Sequence, residues 1–155
     1  MTLRQSLQTE PITHFDLSHY CSVETGATLR QVIQTMRDSQ HNCAFVLKED
    51  KLIGIFTDRD LLRKVVHRPE TWEDAVDAYM TADPLVLSAE ATAAEALTLM
   101  HKHHFRNVPV INAQGGVVGN LTHYSLLELL AASFPTEVYN RPPDSSVSSS
   151  RRHGA

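Results

Sequence analysis

The sequence predicts a mixed α/β (α+β) fold in which one β-α-β-β-α unit is written twice and the two copies pack about a pseudo-twofold axis. Two observations carry this prediction. When the chain is slid over itself, the helix opening Thr28-Leu-Arg-Gln31 falls on Thr92-Ala-Ala-Glu95. The strand-to-helix phrase Gly54-Ile-Phe-Thr-Asp-Arg-Asp60 then falls on Gly119-Asn-Leu-Thr-His-Tyr-Ser125. One such unit has a three-stranded sheet with helices on one face, too little to close a core alone, so two copies are expected to bury each other's open face.

Residues 1–11 form an N-terminal extension with a weakly helical stretch from Leu3 to Leu7, expected to lie across the repeats. The first unit, 12–68, opens on an extended run, Tyr20 to Val23. Its helix starts at Thr28, whose hydroxyl can accept from a free N–H of the first turn while Gln31 reaches back to the cap. Leu29, Val32, Ile33 and Met36 then recur at helical spacing. Two apolar runs, Cys43 to Leu47 and Leu52 to Phe56, flank the turn Lys48-Glu-Asp-Lys51 as a hairpin, and a helix follows from Asp58 to about His67.

Residues 69–80 read as a helical connector, with Thr71 as its cap and Asp74 favouring its positive end. The second unit, 81–134, repeats the order: an extended Pro84 to Leu87, and a helix capped by Thr92 and Glu95 with Ala93, Ala96, Leu97 and Met100 on one face. A hairpin of Asn107 to Ile111 and Val117 to Leu121 follows, then a helix from His123 to Ser133. Residues 135–155 are expected to be a disordered tail, since the stretch from Arg141 is rich in Ser and Pro and offers little apolar surface to offset the entropy of ordering.

Composition limits the functions available. With 155 residues, 42% of them hydrophobic, the chain can build a real core. Its formal charge of −4, from 14 basic and 18 acidic side chains, provides no broad cationic surface for nucleic acid. No stretch approaches the roughly 20 apolar residues needed to cross a bilayer, and the N-terminus lacks the apolar core of a signal peptide. A cytoplasmic protein without membrane or nucleic-acid partners is expected, with Cys21 and Cys43 as reduced thiols. No nucleophile elbow, phosphate loop or paired-carboxylate arrangement stands out, so the chain reads as non-catalytic.

The repeated pattern, the motif Gly-apolar-apolar-Thr-x-x-Asp at the strand-to-helix junction and the phrase Arg106-Asn-Val-Pro-Val-Ile-Asn112 together resemble a tandem pair of cystathionine-beta-synthase (CBS) domains, a Bateman module. The resemblance covers about residues 12 to 134. It implies a regulatory sensor whose clefts take adenosine-containing ligands (AMP, ADP, ATP or, less in keeping with this chain, S-adenosylmethionine), with no other cofactor. It also implies a homodimer acting on a protein target that the sequence does not name.

Carried over by position, the resemblance places Asp60 on the ribose hydroxyls and Thr57 on ribose or phosphate. Ile55, Pro84 and Leu85 would sandwich the adenine, and Phe105, Arg106 and Asn107 would close the cleft, with Arg106 as phosphate partner. The chemistry is compatible: a carboxylate is acceptor-only, which suits a diol, and a helix start favours phosphate. The same Thr and Asp also suit a plain helix cap. Where the gamma subunit of AMP-activated protein kinase has His-Arg before the apolar strand, this chain has Arg-Asn, displacing the guanidinium by one position.

The matching second cleft would use Thr122 and Ser125 with Tyr20, Cys21, His41, Asn42 and Cys43. Ser125 stands where the acid is required and Asn42 where the arginine is, so a single competent cleft per chain is expected. The alternative is a dimeric scaffold whose clefts stay empty. The cluster His101-Lys-His103-His104 lacks a familiar zinc spacing and reads as a solvated helix end, with approach to a nucleotide phosphate as its other use. Asn120-Leu-Thr122 matches a glycosylation sequon but lies in an expected buried strand.

Overall fold

The computed structural model describes residues 2–133, so the tail expected over 135–155 lies outside the described residues. In chain order the elements are α1 (Leu3–Thr9), β1 (Cys21–Glu24), α2 (Leu29–Ser39), β2 (Cys43–Lys48), β3 (Lys51–Thr57) and α3 (Asp58–Asp60). After these come β4 (Thr81–Ala82), β5 (Leu87–Ser88), α4 (Ala93–His103), β6 (Asn107–Ile111), β7 (Val117–Thr122) and α5 (His123–Ser133). The mixed α+β fold and its doubled order are as expected. No helix among the described residues is long and apolar enough to cross a membrane.

Local chemistry explains most element boundaries. Thr28 and Thr92 each accept from the third residue of the helix they open, at 3.2 and 3.3 Å, while Gln31 and Glu95 accept from the threonine N–H. Both of these helices, α2 and α4, end on a left-handed residue, Gln40 and His104, each with φ of 57°, after which the next N–H returns to a carbonyl of Met36 or Met100. The two hairpins, β2 with β3 and β6 with β7, are antiparallel, and each first strand, β1 or β5, joins its hairpin in parallel.

Three details depart from expectation. The extended run read over Pro84 to Leu87 is strand only at Leu87–Ser88, and β4, which the sequence did not suggest, crosses to the first sheet and pairs antiparallel with β3. The helix expected to His67 is α-helical only through Asp60 and continues as a wider π-turn over Leu61–Val65. Thr71 caps no helix: it ends a 3-10 turn, Pro69–Thr71, and its hydroxyl donates to Arg68 O at 2.7 Å. The connector is two 3-10 turns, the second at Val76–Ala78.

The core is organised by an exchange of straps. Ile12 and Phe15, from the N-terminal segment, pack into the second repeat with Ala93, Met100, Val110 and Leu121. Val76, Trp72 and Met80, from the connector, pack into the first repeat with Leu29, Val32, Val46 and Phe56. Paired hydrogen bonds fix both straps. Ala93 N donates to Glu10 O and Ile12 N to Ala91 O, just as Leu29 N donates to Asp74 O and Val76 N to Ala27 O, all at 2.8 to 3.0 Å. Each repeat is therefore closed by the segment that precedes the other. α1, ahead of the first strap, packs on α4.

Alternation along β2 joins the two halves. Ala44 and Val46 face the helices, whereas Cys43 and Phe45 turn the other way with Ile55, against Tyr20 and, across the repeat boundary, Val117. Lys51 bridges to Gly116 at this boundary. With both faces covered, Cys43 through Val46 are fully buried, and burial with nearby negative charge pushes the Cys43 thiol far above its usual range. It is a core hydrophobe.

Candidate functional site

The junction between β3 and α3 is the foundation of the site. Gly54 allows β3 to lie against the connector, because a Cβ there would run into the Met80 thioether. Ile55, buried on the next position, directs its side chain to the boundary between repeats. The chain then leaves the sheet at Thr57, whose N–H donates to Asp60 Oδ2 at 3.0 Å and whose hydroxyl reaches the same oxygen at 3.3 Å. Asp60 Oδ1 meets Lys64 Nζ at 2.9 Å, and Lys64 also donates to Tyr79 O at 2.8 Å. Asp58 N donates to Asn42 O, tying this helix start to the end of α2 and β2.

The other wall comes from the second repeat. Pro84 and Leu85 precede β5; Phe105 and Arg106 sit between α4 and β6, and Asn107 begins β6. Phe105 stacks on His103 with ring centroids 5.2 Å apart, and it is held there by the left-handed turn at His104. Leu85 and Phe105 remain 47% and 37% exposed, which leaves both apolar side chains open to a ligand.

These two walls enclose a cavity of about 420 Å³. All eight residues singled out in the sequence, Ile55, Thr57, Asp60, Pro84, Leu85, Phe105, Arg106 and Asn107, line it. Sequence reasoning missed Leu62, Arg63 and Thr81 as further lining residues, whereas His104 belongs to the cluster read as able to approach a nucleotide phosphate. Arg63 stands one helical turn after Arg59 of the motif, a spacing that was visible; the approach of Thr81 depends on β4 crossing sheets and was not. The apolar part of the cavity lining comes from both walls, Ile55 and Leu62 from the first repeat and Pro84, Leu85 and Phe105 from the second. Its polar groups are mixed: carboxylates at Asp58 and Asp60, guanidiniums at Arg59, Arg63 and Arg106. A ligand with a flat apolar part, neighbouring hydroxyls and an anionic end matches that set.

The pseudo-equivalent junction is built differently. Gly119 lies where Gly54 does, and a Cβ there would run into the Leu17 side chain and stand 2.6 Å from Leu17 O. Ser125 N donates to Thr122 Oγ1 at 3.1 Å, the two hydroxyls are 3.0 Å apart, and Ser125 Oγ donates to Asp16 O at 2.9 Å. Ser125 is 3% exposed. The sequence suggested an open cleft short of one acid; instead the strap covers the acid's position.

A second cavity of about 330 Å³ does lie beside this junction, lined by His41, Asn42 and Thr122 as expected. Ser125, Tyr20, Cys21 and Cys43 do not line it: Ser125 is sealed under the strap, Tyr20 stacks on Phe45 at 4.5 Å, and Cys43 is core. Arg106 and Asn107 border both cavities. Of the histidine cluster, His104 reaches the first cavity, and His123 lines the second. No group of three His, Cys, Asp or Glu among the described residues is disposed to hold a metal.

Comparison with known proteins gives the doubled fold a context. A family model described as "CBS domain" matches twice, over residues 12–67 and 76–132. CBS domain-containing protein CBSCBSPB1 of Arabidopsis thaliana is 39% identical over 93 residues, 59% of this chain, and the chain spans only 17% of that relative's length. Among solved structures, an uncharacterized conserved protein from Pyrococcus horikoshii superposes with a TM-score of 0.71 at 22% identity, covering 82% of this chain and 94% of that one. The cytosolic domain of the Mg2+ channel MgtE in complex with ATP gives 0.67 at 21% identity, covering 78% of this chain and 49% of that one. At such identities the structural likeness concerns the fold.

Proposed function

The chain belongs to the CBS-domain family as a tandem pair, and from that premise we propose that it is a non-catalytic regulatory module that binds AMP, ADP or ATP in the single cleft around Asp60. The observation that carries this reading is the convergence of eight residues from both repeats on one cavity, with Asp60 at its edge. Its carboxylate keeps acceptor capacity beyond the bonds from Thr57 and Lys64, since each oxygen can accept more than once. Leu85, Phe105 and Ile55 supply apolar faces for a base, and the arginines supply partners for phosphate. That a structure of the same fold holds ATP supports the ligand class.

The regulatory step follows from where the ligand sits. Thr57 and Asp60 belong to one repeat, and Pro84, Leu85, Phe105 and Arg106 to the other. A bound nucleotide contacts both and favours the arrangement in which they stand at the right separation, so binding shifts a population of inter-repeat geometries. The readout is a homodimer surface and a protein target. Leu62 and Leu127, at matching positions after β3 and β7, are 63% and 55% exposed, and a second copy would cover them. We place the protein in the cytoplasm.

A scaffold that binds nothing is the competing reading, favoured by one observation: Thr57 and Asp60 already satisfy each other as a helix cap. Thermal melting with AMP, ADP, ATP and S-adenosylmethionine separates the two. The expected outcome is a rise in Tm with at least one of the three nucleotides, reflecting about 2.7 kcal/mol of added stability at a hundredfold excess over Kd, and its loss in Asp60→Ala. No shift at millimolar nucleotide overturns the sensor. Sedimentation of wild type against Leu62→Glu plus Leu127→Glu tests the dimer.

A further inference from the structure

The second cavity has a wall chemistry that the first does not share. Among the described residues its lining contains no Leu, Ile or Val: it holds three imidazoles, His19, His41 and His123, one guanidinium, Arg106, one carboxylate, Glu128, and amides and hydroxyls. The sole aromatic carbocycle is Tyr124, which is occupied on one side by His123 at 4.2 Å. There is no shelf to sandwich a base. The imidazoles are not disposed to share a metal ion, yet they come from three separate elements, the segment before β1, the end of α2 and the first turn of α5. His123 Nδ1 is buried without a hydrogen-bond partner among the described residues. It also stands at the positive end of an eleven-residue helix.

We propose that this second cavity is a binding site for a small tetrahedral oxyanion, with His19, His41, His123 and Arg106 as its donors. The charge inventory explains why the histidines decide occupancy. Arg106 contributes one positive charge and Glu128, from the second turn of α5, one negative charge. From the N-terminal strap Asp16 pairs with His19 at 3.1 Å, and its carboxyl is held below the usual range by the Ser18 hydroxyl and N–H first and by His19 after them. His41 stands edge-on to His19 at 6.0 Å. With neutral imidazoles the cavity has no surplus of positive charge. An imidazolium holds an anion more strongly than a neutral imidazole does, so anion binding strengthens as pH falls. Because Arg106 and Asn107 border both cavities, the oxyanion can be a free ion or the terminal phosphate of a nucleotide lodged in the Asp60 cleft. Only that second source rests on the function proposed above.

Sulfate is the probe, since it carries no base and keeps its charge between pH 6 and 8. Imidazole resonances of the full chain are followed by NMR while sulfate replaces chloride at constant ionic strength. Saturable shifts of the His41 and His123 signals at pH 6, weaker at pH 8 and weakened about tenfold in His41→Gln, support a free-anion site. If a nucleotide supplies the oxyanion, sulfate competes with ATP but not with AMP, and His41→Gln weakens ATP about tenfold while leaving AMP unchanged. His123→Gln serves as the second variant, and an unchanged Tm shows that either variant is folded. The proposal is overturned if sulfate acts as chloride does and both variants leave the ratio of ATP to AMP affinity at its wild-type value. AMP binding that persists in that case leaves the Asp60 cleft intact as a separate finding.

Discussion

The two strand-to-helix junctions share a backbone plan and differ in what lies over it. At the first, the strap carbonyl of Tyr79 is met by Lys64, and Lys64 spans from there to Asp60, which keeps the carboxylate at the edge of a cavity. At the second, the strap carbonyl of Asp16 is met directly by Ser125 Oγ, and the position is closed. A long side chain props one strap away from the junction; a short one draws the other down. The lesson is that duplication supplies the scaffold twice, while the side chain under the strap decides whether the scaffold opens as a site.

The most damaging way to probe this contrast is Ser125→Asp. If the second junction lacked only its acid, the change would create a second nucleotide site; because the position is buried beneath a carbonyl oxygen, an unpaired charge there should cost about 4 kcal/mol in denaturant melts, with no gain in nucleotide stoichiometry. Next come the paired glycines. Gly119→Ala drives a methyl into Leu17 backbone and should cost about 3 kcal/mol, whereas Gly54→Ala meets the mobile end of Met80 and should cost about 1 kcal/mol. Equal losses would mean that the two straps sit equally close.

A smaller effect is expected for Lys64→Met, which removes a partly exposed ion pair with Asp60 and should change stability by less than about 1 kcal/mol. Nucleotide affinity, read by titration calorimetry, should stay within a few-fold of wild type, because methionine has nearly the reach of lysine beneath the strap and Thr57 still holds the Asp60 carboxylate. The smallest concerns Asp77, through which the connector strap is tied to the turn before α2. The Thr25 hydroxyl and the Gly26 N–H hold its carboxyl below the ordinary 3.8. A depressed carboxylate stabilises the fold above its unfolded value, and that contribution is lost as pH falls through the folded one. Asp77 is only partly buried and the solvent screens its contacts, so the gap in Tm between wild type and Asp77→Asn should be slight at pH 6 and shrink further from pH 5 to 3.

What the sequence disclosed depended on the range of the signal. The capping boxes at Thr28 and Thr92 and the apolar runs of the hairpins are written in local pattern and its repetition, and they were legible; the eight residues around the first cavity followed only from the family resemblance that this repetition carries. β4 was not, because a two-residue strand is defined by its partner, here Gly54 and Ile55, and not by propensity. Pro84 and Leu85 reach the cavity from a loop, not from the strand expected there. The sealing of Ser125 was hidden for a similar reason: it depends on Asp16, far away in sequence, and on a backbone carbonyl that any residue would supply.

The exchange of straps also sets an order of assembly. Pro11 bridges to Thr92, and Ile12 enters a core that includes Val110 and Leu121. During synthesis the strap of the first repeat follows its partner out of the ribosome within a short interval. The strap of the second repeat emerges before β1 and must wait, its apolar Ile12 and Phe15 uncovered, until β7 has been made. A part of the chain made early is thus among the last to dock, and a cut placed between the two copies would leave each half holding the other's closure.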